Sequence, residues 1–248
     1  MPIFIKREPE IAKMRKAGLV TSETMLLIKE MIKPGNRGLD INNAAHEFIK
    51  SKGGVPSFLH YRNFPKSICF SINEEILHGI PSKRILKEGD IVCVDVGVML
   101  DGFHTDMART FAVGKVSKEA QRLIDVTEKS FFESLKVAKV GHNLYEISAV
   151  LEDVAVKNGY TVLQDYFGHG IGRKLHEDPD IPCSKQRAKG PRLMAGMTLA
   201  VEPMVCAGKN DVYTAKDDWT VITKDGCLTA HYENTFLITD GEPELLTY

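Results

Sequence analysis

Four carboxylates in apolar, strand-like runs and two histidines set among glycines are the residues of this chain best suited to chemistry. In Ile91–Val98, period-two alternation puts Val92, Val94, Val96 and Val98 on one face and Ile91, Cys93 and Asp95 on the other. An aspartate in so apolar a strand is costly to bury unless something pairs with it. Asp101-Gly102 is a two-residue hairpin signal. With that loop, residue 106 lies opposite residue 97, so Asp95 and Asp106 project from the same side as near neighbours. Like charges so placed repel and raise one pKa unless a cation sits between them. The other reading is a structural ion pair of one of them with Arg109 or Lys66, and the pair alone leaves both open. Thr198–Glu202 is a second apolar run ending in a carboxylate, closed by Pro203, and Glu233 lies in the strand-like Ala230–Phe236. Four carboxylates at strand positions in two hairpins exceed what ordinary surface charge explains.

The segment Gly168-His169-Gly170-Ile171-Gly172-Arg173-Lys174-Leu175-His176-Glu177-Asp178-Pro179 spaces its histidines too widely for the i, i+4 pair of a helical zinc site. Glycines around His169 let the backbone approach something closely, and the extended spacing lets both imidazoles reach one cavity. One histidine then fits as a metal ligand and the other as a hydrogen-bond donor to substrate. His78, in Glu74–Pro81, is a weaker candidate, and His46, His60, His104, His142 and His231 have no comparable setting. One histidine with four carboxylates is a hard, oxygen-rich donor set suited to Mn, Fe, Co or Zn. Two-metal sites of this kind hold their ions about 3.5–4 Å apart, with a bridging water as hydroxide for attack on a carbonyl.

The elements that must position these residues follow from pattern. Glu8–Ile32 carries apolar residues at helical spacing with Thr21 in the one gap, and Lys33-Pro34-Gly35 stops it. A second helix is predicted from near Asp40 to Lys52-Gly53-Gly54. Ser117 caps a third that reaches Ala138, and Asn143 caps a fourth that ends at Asn158-Gly159. Strand-like runs are Ser67–Ile72, Asp90–Met99, Gly102–Val113, Thr198–Cys206, Thr220–Thr223 and Thr235–Thr239. Helix pairs followed by hairpins read as α+β with an antiparallel sheet and paired helices on one face. Gly89–Asp95 matches Gly196–Glu202, and each copy is followed by an Asp-Gly turn and a Thr-Phe strand. One domain over 1–248 is expected, with halves of roughly 1–114 and 115–248 related by a pseudo-two-fold and the site on its axis.

A chain of 248 residues is long enough to fold without staples. Its formal net charge of −1 gives no electrostatic reason to expect nucleic acid, and Lys185, Arg187, Lys189 and Arg192 read as a solvated loop. Cys69, Cys93, Cys183, Cys206 and Cys227 are odd in number without a C-x-x-C pair, against a disulfide framework or zinc ribbon. No signal peptide or membrane-length apolar run is visible, so a cytoplasmic protein is expected.

These residues together resemble the type I methionine aminopeptidases, of the pita-bread metallopeptidase fold, from Lys13 to Thr239. The resemblance is carried by Pro65–Cys69, Ser71–Glu74, His78–Pro81, Asp101–His104, Gly168–Gly172 and Val201–Met204. It implies removal of initiator methionine from nascent chains with a small second residue. It also implies Asp95, Asp106, His169, Glu202 and Glu233 as ligands of two divalent ions, with Asp106 and Glu233 bridging. Glu202 would also shuttle the proton of the attacking water. His78 and His176 would hold the scissile amide and the developing oxyanion. Tyr61, Phe64, Cys69 and Trp219 would line the methionine pocket, where a thioether suits aromatic and sulfur neighbours. Asn234, Leu175 and Arg62 depart from the family's usual residues without removing a ligand, and bear on pocket shape and second-residue preference. Transient ribosome contact and a monomer are implied too. The start, Met1-Pro2, makes the chain a candidate for its own activity. Rival readings are a proline-directed relative, which carries an additional N-terminal domain with no residues left here to build it, and a non-enzymatic binding module of the same fold, which would have lost ligands.

Overall fold

The computed structural model describes residues 2–248, so Met1 and its proposed removal lie outside the described residues. Helix α1 (Glu8–Met31) buries Ile11, Met14, Ala17, Met25 and Ile28, the stripe expected from spacing. Thr21 in the gap donates to the Ala17 carbonyl and meets the Thr105 hydroxyl at 2.8 Å. Helix α2 (Gly38–Ser51) begins two residues before the expected start. A side chain at Gly38 would press on the Phe70 ring at 2.8 Å, so the bare backbone lets the helix lie against the sheet. Helix α3 (Lys118–Leu135) is capped by the Ser117 hydroxyl, which accepts from the Ala120 amide. It ends before the expected Ala138, because Lys136, Val137 and Ala138 donate to carbonyls three residues back, a tightened turn. Helix α4 (Leu144–Lys157) opens on Asn143, whose amide donates to the Glu146 carboxylate at 2.9 Å, and stops before Gly159 at φ 84°.

A nine-stranded sheet carries the site. Its strands run in the order β1 (Val55–Pro56), β4 (Ile91–Leu100), β5 (Phe103–Ala112), β14 (Glu233–Leu237), β9 (Thr198–Val201), β7 (Phe167–Gly170) and β8 (Glu177–Pro182). β2 (Cys69–Ile72) adds to β4, and β15 (Glu244–Leu245) to β14. All its pairings are antiparallel. Two three-stranded sheets flank it: β13 (Thr229–His231), β10 (Met204–Cys206) and β6 (Thr161–Val162), then β11 (Val212–Thr214), β12 (Val221–Thr223) and β3 (Glu75–Leu77). One face of the large sheet is covered by helices. Val92, Val94, Val96 and Val98 pack with Ile28, Ile41 and Ile49, while Leu199, Val201 and Phe236 pack with Phe131, Leu144 and Leu151.

Two expectations needed correction. The run Thr198–Cys206 is split at Glu202-Pro203, where proline cannot donate to the ladder and the chain passes from β9 to β10. The glycine-histidine segment, read only as extended, is the β7–β8 hairpin. Lys185, Arg187, Lys189 and Arg192 are exposed, as a solvated loop requires. Among the described residues the five cysteines are free, and no helix is long and apolar enough to cross a membrane.

Below β8, the Lys6 ammonium meets the Glu177 carboxylate at 2.7 Å with both side chains buried. Removing one partner leaves an uncompensated buried charge beside His176. Lys6→Met is expected to cost about 3–5 kcal/mol, which is a fall of roughly 6–20 °C in Tm for a domain of this size. A urea melt with no change in midpoint would show the pair to be idle.

Candidate active site

The ladder itself brings the acidic residues together. Asp101 and Gly102 both take positive φ, 51° and 78°, making the tight turn that pairs Gly97 with Asp106 as expected from sequence. Asp95 pairs with Ala108, and Ala108 pairs with Glu233 on its other side. One row away, the Asp106 amide donates to the Thr235 hydroxyl, and that hydroxyl donates to the Asp106 carbonyl. Thr235 pairs with Ala200, and Ala200 with His169. Residues paired across strands share a face, as do residues two apart on one strand. Asp95, Asp106, Glu233 and His169 therefore stand on the sheet face away from the helices, and Glu202 follows two residues after Ala200. Small residues, Gly97, Ala108, Thr235 and Ala200, lie between them in these rows.

The result is a buried acidic cluster. Asp106, Glu233 and His169 are 3%, 2% and 4% exposed. Ligand atoms of Asp106, His169 and Glu233 all lie within 4.8 Å of one another, and so do those of Glu202, His231 and Glu233. His169 Nε2 is 3.9 Å from Glu202 Oε1. Its other nitrogen, Nδ1, faces the Gly170 carbonyl at 2.9 Å, which orients the ring. No lysine or arginine among the described residues is ion-paired with these carboxylates. Arg109 instead donates to the Ala108 and Glu233 carbonyls and to Asn234 Oδ1, and stacks 3.9 Å over Tyr232. The structural ion-pair reading of Asp95 and Asp106 therefore fails. Asp95 Oδ1 and Glu233 Oε1 are buried without a hydrogen-bond partner.

Burial, then repulsion from Asp106 and Glu202, pushes Asp95 well above the usual carboxylate range. Glu233 is driven up by burial and by Asp106, Glu202 and Asp95. Burial also raises Asp106 to about 6 and Glu202 to about 8. Four carboxylates that oppose one another's ionisation, with bare oxygens and a neighbouring imidazole, fit divalent cations. Oxygen donors with one nitrogen are the chemistry such ions take.

Beside the cluster opens a cavity of about 260 Å³. Every residue assigned from sequence to the metal centre, substrate contact or methionine pocket lines it: Asp95, Asp106, His169, Glu202 and Glu233 on the floor, with Tyr61, Phe64, Cys69, His78, His176 and Trp219 around it. Phe64 meets Trp219 edge-on at 5.1 Å, and His78 meets Trp219 at 6.1 Å. His78 holds the left-handed φ of 56°, a backbone state that costs energy and that surrounding structure must impose. The Tyr61 hydroxyl lies 2.7 Å from His176 Nδ1, and the His176 ring sits 4.2 Å from that of His169. Burial lowers His78 to about 4, and desolvation followed by His169 lowers His176 to about 3. Both are thus neutral imidazoles at pH 7.

Of the three departures, Leu175 and Arg62 line the cavity, while Asn234 alternates to the helix side and binds Arg109 and Thr247. Asn234 therefore does not line the cavity. One residue was missed altogether. His231, read as ordinary, is 1% exposed with Nε2 at 3.4 Å from Glu202 Oε2. Its place two residues before Glu233 was a readable signal, because period two puts both on one face.

The sequence matches the model of metallopeptidase family M24 over residues 12–240. It is 49% identical to a methionine aminopeptidase of Clostridium acetobutylicum, across 99% of this chain and 98% of that one. The crystal structure of a methionine aminopeptidase from Thermotoga maritima superposes with a TM-score of 0.97 at 39% identity, covering 99% of each chain. A prolidase from Pyrococcus furiosus matches at TM-score 0.80 and 21% identity, with 98% of this chain on 65% of that one, a likeness of fold alone. An acidic floor on a helix-backed antiparallel sheet, a sequence match along nearly all of it and coincident backbones lead to one assignment: the chain belongs to metallopeptidase family M24.

Proposed function

We propose that the protein removes the initiator methionine from nascent polypeptides whose second residue is small, acting as a metal-dependent aminopeptidase. The observation that carries this is the cavity in which unneutralised carboxylates meet a wall of Phe64, Cys69 and Trp219. Its support outside the structure is near-full-length similarity to methionine aminopeptidases. Asp95, Asp106, His169, Glu202 and Glu233 would hold two divalent ions, Co, Mn, Fe or Zn. Such ions would supply Lewis-acid polarisation of the scissile carbonyl and a lowered pKa for the attacking water.

The chain's own residues do the rest. Aromatic and sulfur surfaces accept the methionine thioether and exclude water. Glu202 takes a proton of the attacking water at its carboxylate and returns it to the departing amine. The Tyr61 hydroxyl lies 2.7 Å from His176 Nδ1; with the hydroxyl as donor, the imidazole carries its proton on Nε2, free to donate to the developing oxyanion. His78 holds the amide from the opposite wall. Tyr61→Phe removes that tautomer lock and is expected to lower kcat about ten-fold, the worth of one hydrogen bond. The KM for methionyl peptides should stay nearly unchanged, and an unaltered kcat would release Tyr61 from the role.

With such substrates we infer a cytoplasmic enzyme in transient contact with ribosomes, a monomer with a single catalytic domain of two pseudo-symmetric halves. Met-Ala and Ala-Pro peptides offered to the metal-loaded protein test the assignment. Release of methionine is expected. Cleavage of the Ala-Pro peptide instead moves the chain to the proline-directed branch, and cleavage of neither makes it a binding module.

A further inference from the structure

His231 is a second imidazole in the acidic floor, and the five-residue ligand set leaves it without a task. Its ring is 1% exposed, and neither Nδ1 nor Nε2 has a hydrogen-bond partner. Nε2 points between two carboxylates, 3.4 Å from Glu202 Oε2 and 3.9 Å from Glu233 Oε2, without meeting hydrogen-bond geometry to either. An unpaired buried polar group costs about 1–3 kcal/mol, so an imidazole held this way needs something to satisfy it. Its backbone is pinned there: the His231 amide donates to the Thr110 hydroxyl at 2.9 Å, and that hydroxyl donates to the His231 carbonyl at 2.8 Å. Thr110 lies two residues beyond Ala108, so the strand that carries Asp106 also sets the depth of His231. Arg109 shares that strand but spends its donors on carbonyls and Asn234.

Two groups of potential donors lie on the floor, Asp106–His169–Glu233 and Glu202–His231–Glu233, each compact to within 4.8 Å. They share Glu233, and each contains one imidazole. We propose that His231 is a sixth metal ligand, closing with Glu202 and Glu233 a nitrogen-bearing cation position that shares Glu233 with the Asp106–His169 position. The inference rests on the metal-dependent reading above and adds to it a second nitrogen donor. Imidazole favours Fe, Co and Zn where carboxylate alone suits Mn. His231 therefore biases the centre against manganese.

The test counts ligating imidazoles directly in the full chain loaded with Co(II). An imidazole bound to paramagnetic cobalt carries an N–H proton whose NMR line is shifted far outside the diamagnetic range and vanishes in D₂O. Two such lines are expected, and His231→Gln should remove one. Calorimetry on that variant should show one cobalt-binding step weakened on the order of ten-fold or more, with the cobalt-over-manganese preference reduced. A single line in the unsubstituted protein, with cobalt demonstrably bound, overturns the inference and leaves the metal-dependent reading standing. Failure to bind cobalt at all overturns both. Because the count is made on the unsubstituted protein, a variant that does not fold leaves the answer intact.

Discussion

Glu202→Gln is expected to lower kcat/KM for a Met-Ala peptide by about 10²–10⁴-fold, with the fold kept. Glu202 stands where β9 ends and Pro203 turns the chain, half-buried on the cavity floor. Glutamine keeps the volume and one ligating oxygen but cannot take up a proton. The loss should therefore fall on kcat, with metal content largely retained. Removing one of four mutually repelling charges should leave the metal-free protein no less stable, since the cluster opposes its own ionisation. Near-full activity in a variant with bound metal would give the proton transfer to another group and sink the role assigned to Glu202.

Metal removal is expected to make stability fall as pH rises from 7 to 8.5, and metal to abolish that fall. In the folded protein Asp106 sits at about 6 and Glu202 at about 8, with Asp95 and Glu233 also well up. A folded-state pKa above the unfolded value means the folded state holds the extra proton. That contribution is complete below the unfolded carboxylate range and is lost as pH climbs through the folded value. His78, His176 and His231 act oppositely, because burial lowers all three to between about 3 and 4. Their contribution grows as pH rises through the free value near 6.5, and is nearly complete above 7. The window above 7 therefore separates the carboxylates from the histidines, at about 1–2 kcal/mol for each carboxylate still titrating. The buried thiols of Cys69, Cys93 and Cys183, raised by burial, add to the fall near the upper end of that window. Divalent ions require the ionised forms and so reverse the sign. The Tm gain on adding metal should be larger at pH 8.5 than at pH 6, with proton release on binding. A chelated protein whose Tm is flat or rising from pH 7 to 8.5 would contradict the mutual repulsion described here.

Much of this site was legible because a sheet is a ruler. The Asp-Gly turn fixes register, and register places Asp95 and Asp106 on one face before any other contact is known. Ser117 and Asn143 likewise start their helices where cap chemistry puts them. What stayed hidden is set by pairing between distant strands. The row joining Asp95 through Ala108 to Glu233 depends on β14 entering beside β5, which no local pattern specifies. His231 looked ordinary because Glu202 becomes its neighbour only after β10 and β13 pair. Asn234, singled out only as a departure from the family's usual residue, faces away from the cavity because adjacent strand residues face opposite ways. The β7–β8 hairpin was obscured by its glycines, whose close approach to the Ala200 and Asp178 carbonyls is a matter of packing and invisible to propensity.

The central claim is that the acidic floor works only with divalent ions in place. The most direct measurement titrates the chelated, metal-free protein with Co(II) while following methionine released from a Met-Ala peptide and cobalt bound per chain. The account predicts no release at the start, then activity rising with bound cobalt to a plateau at full occupancy of the centre. Undiminished release from protein shown to be metal-free, or none from protein whose centre is filled, would contradict it.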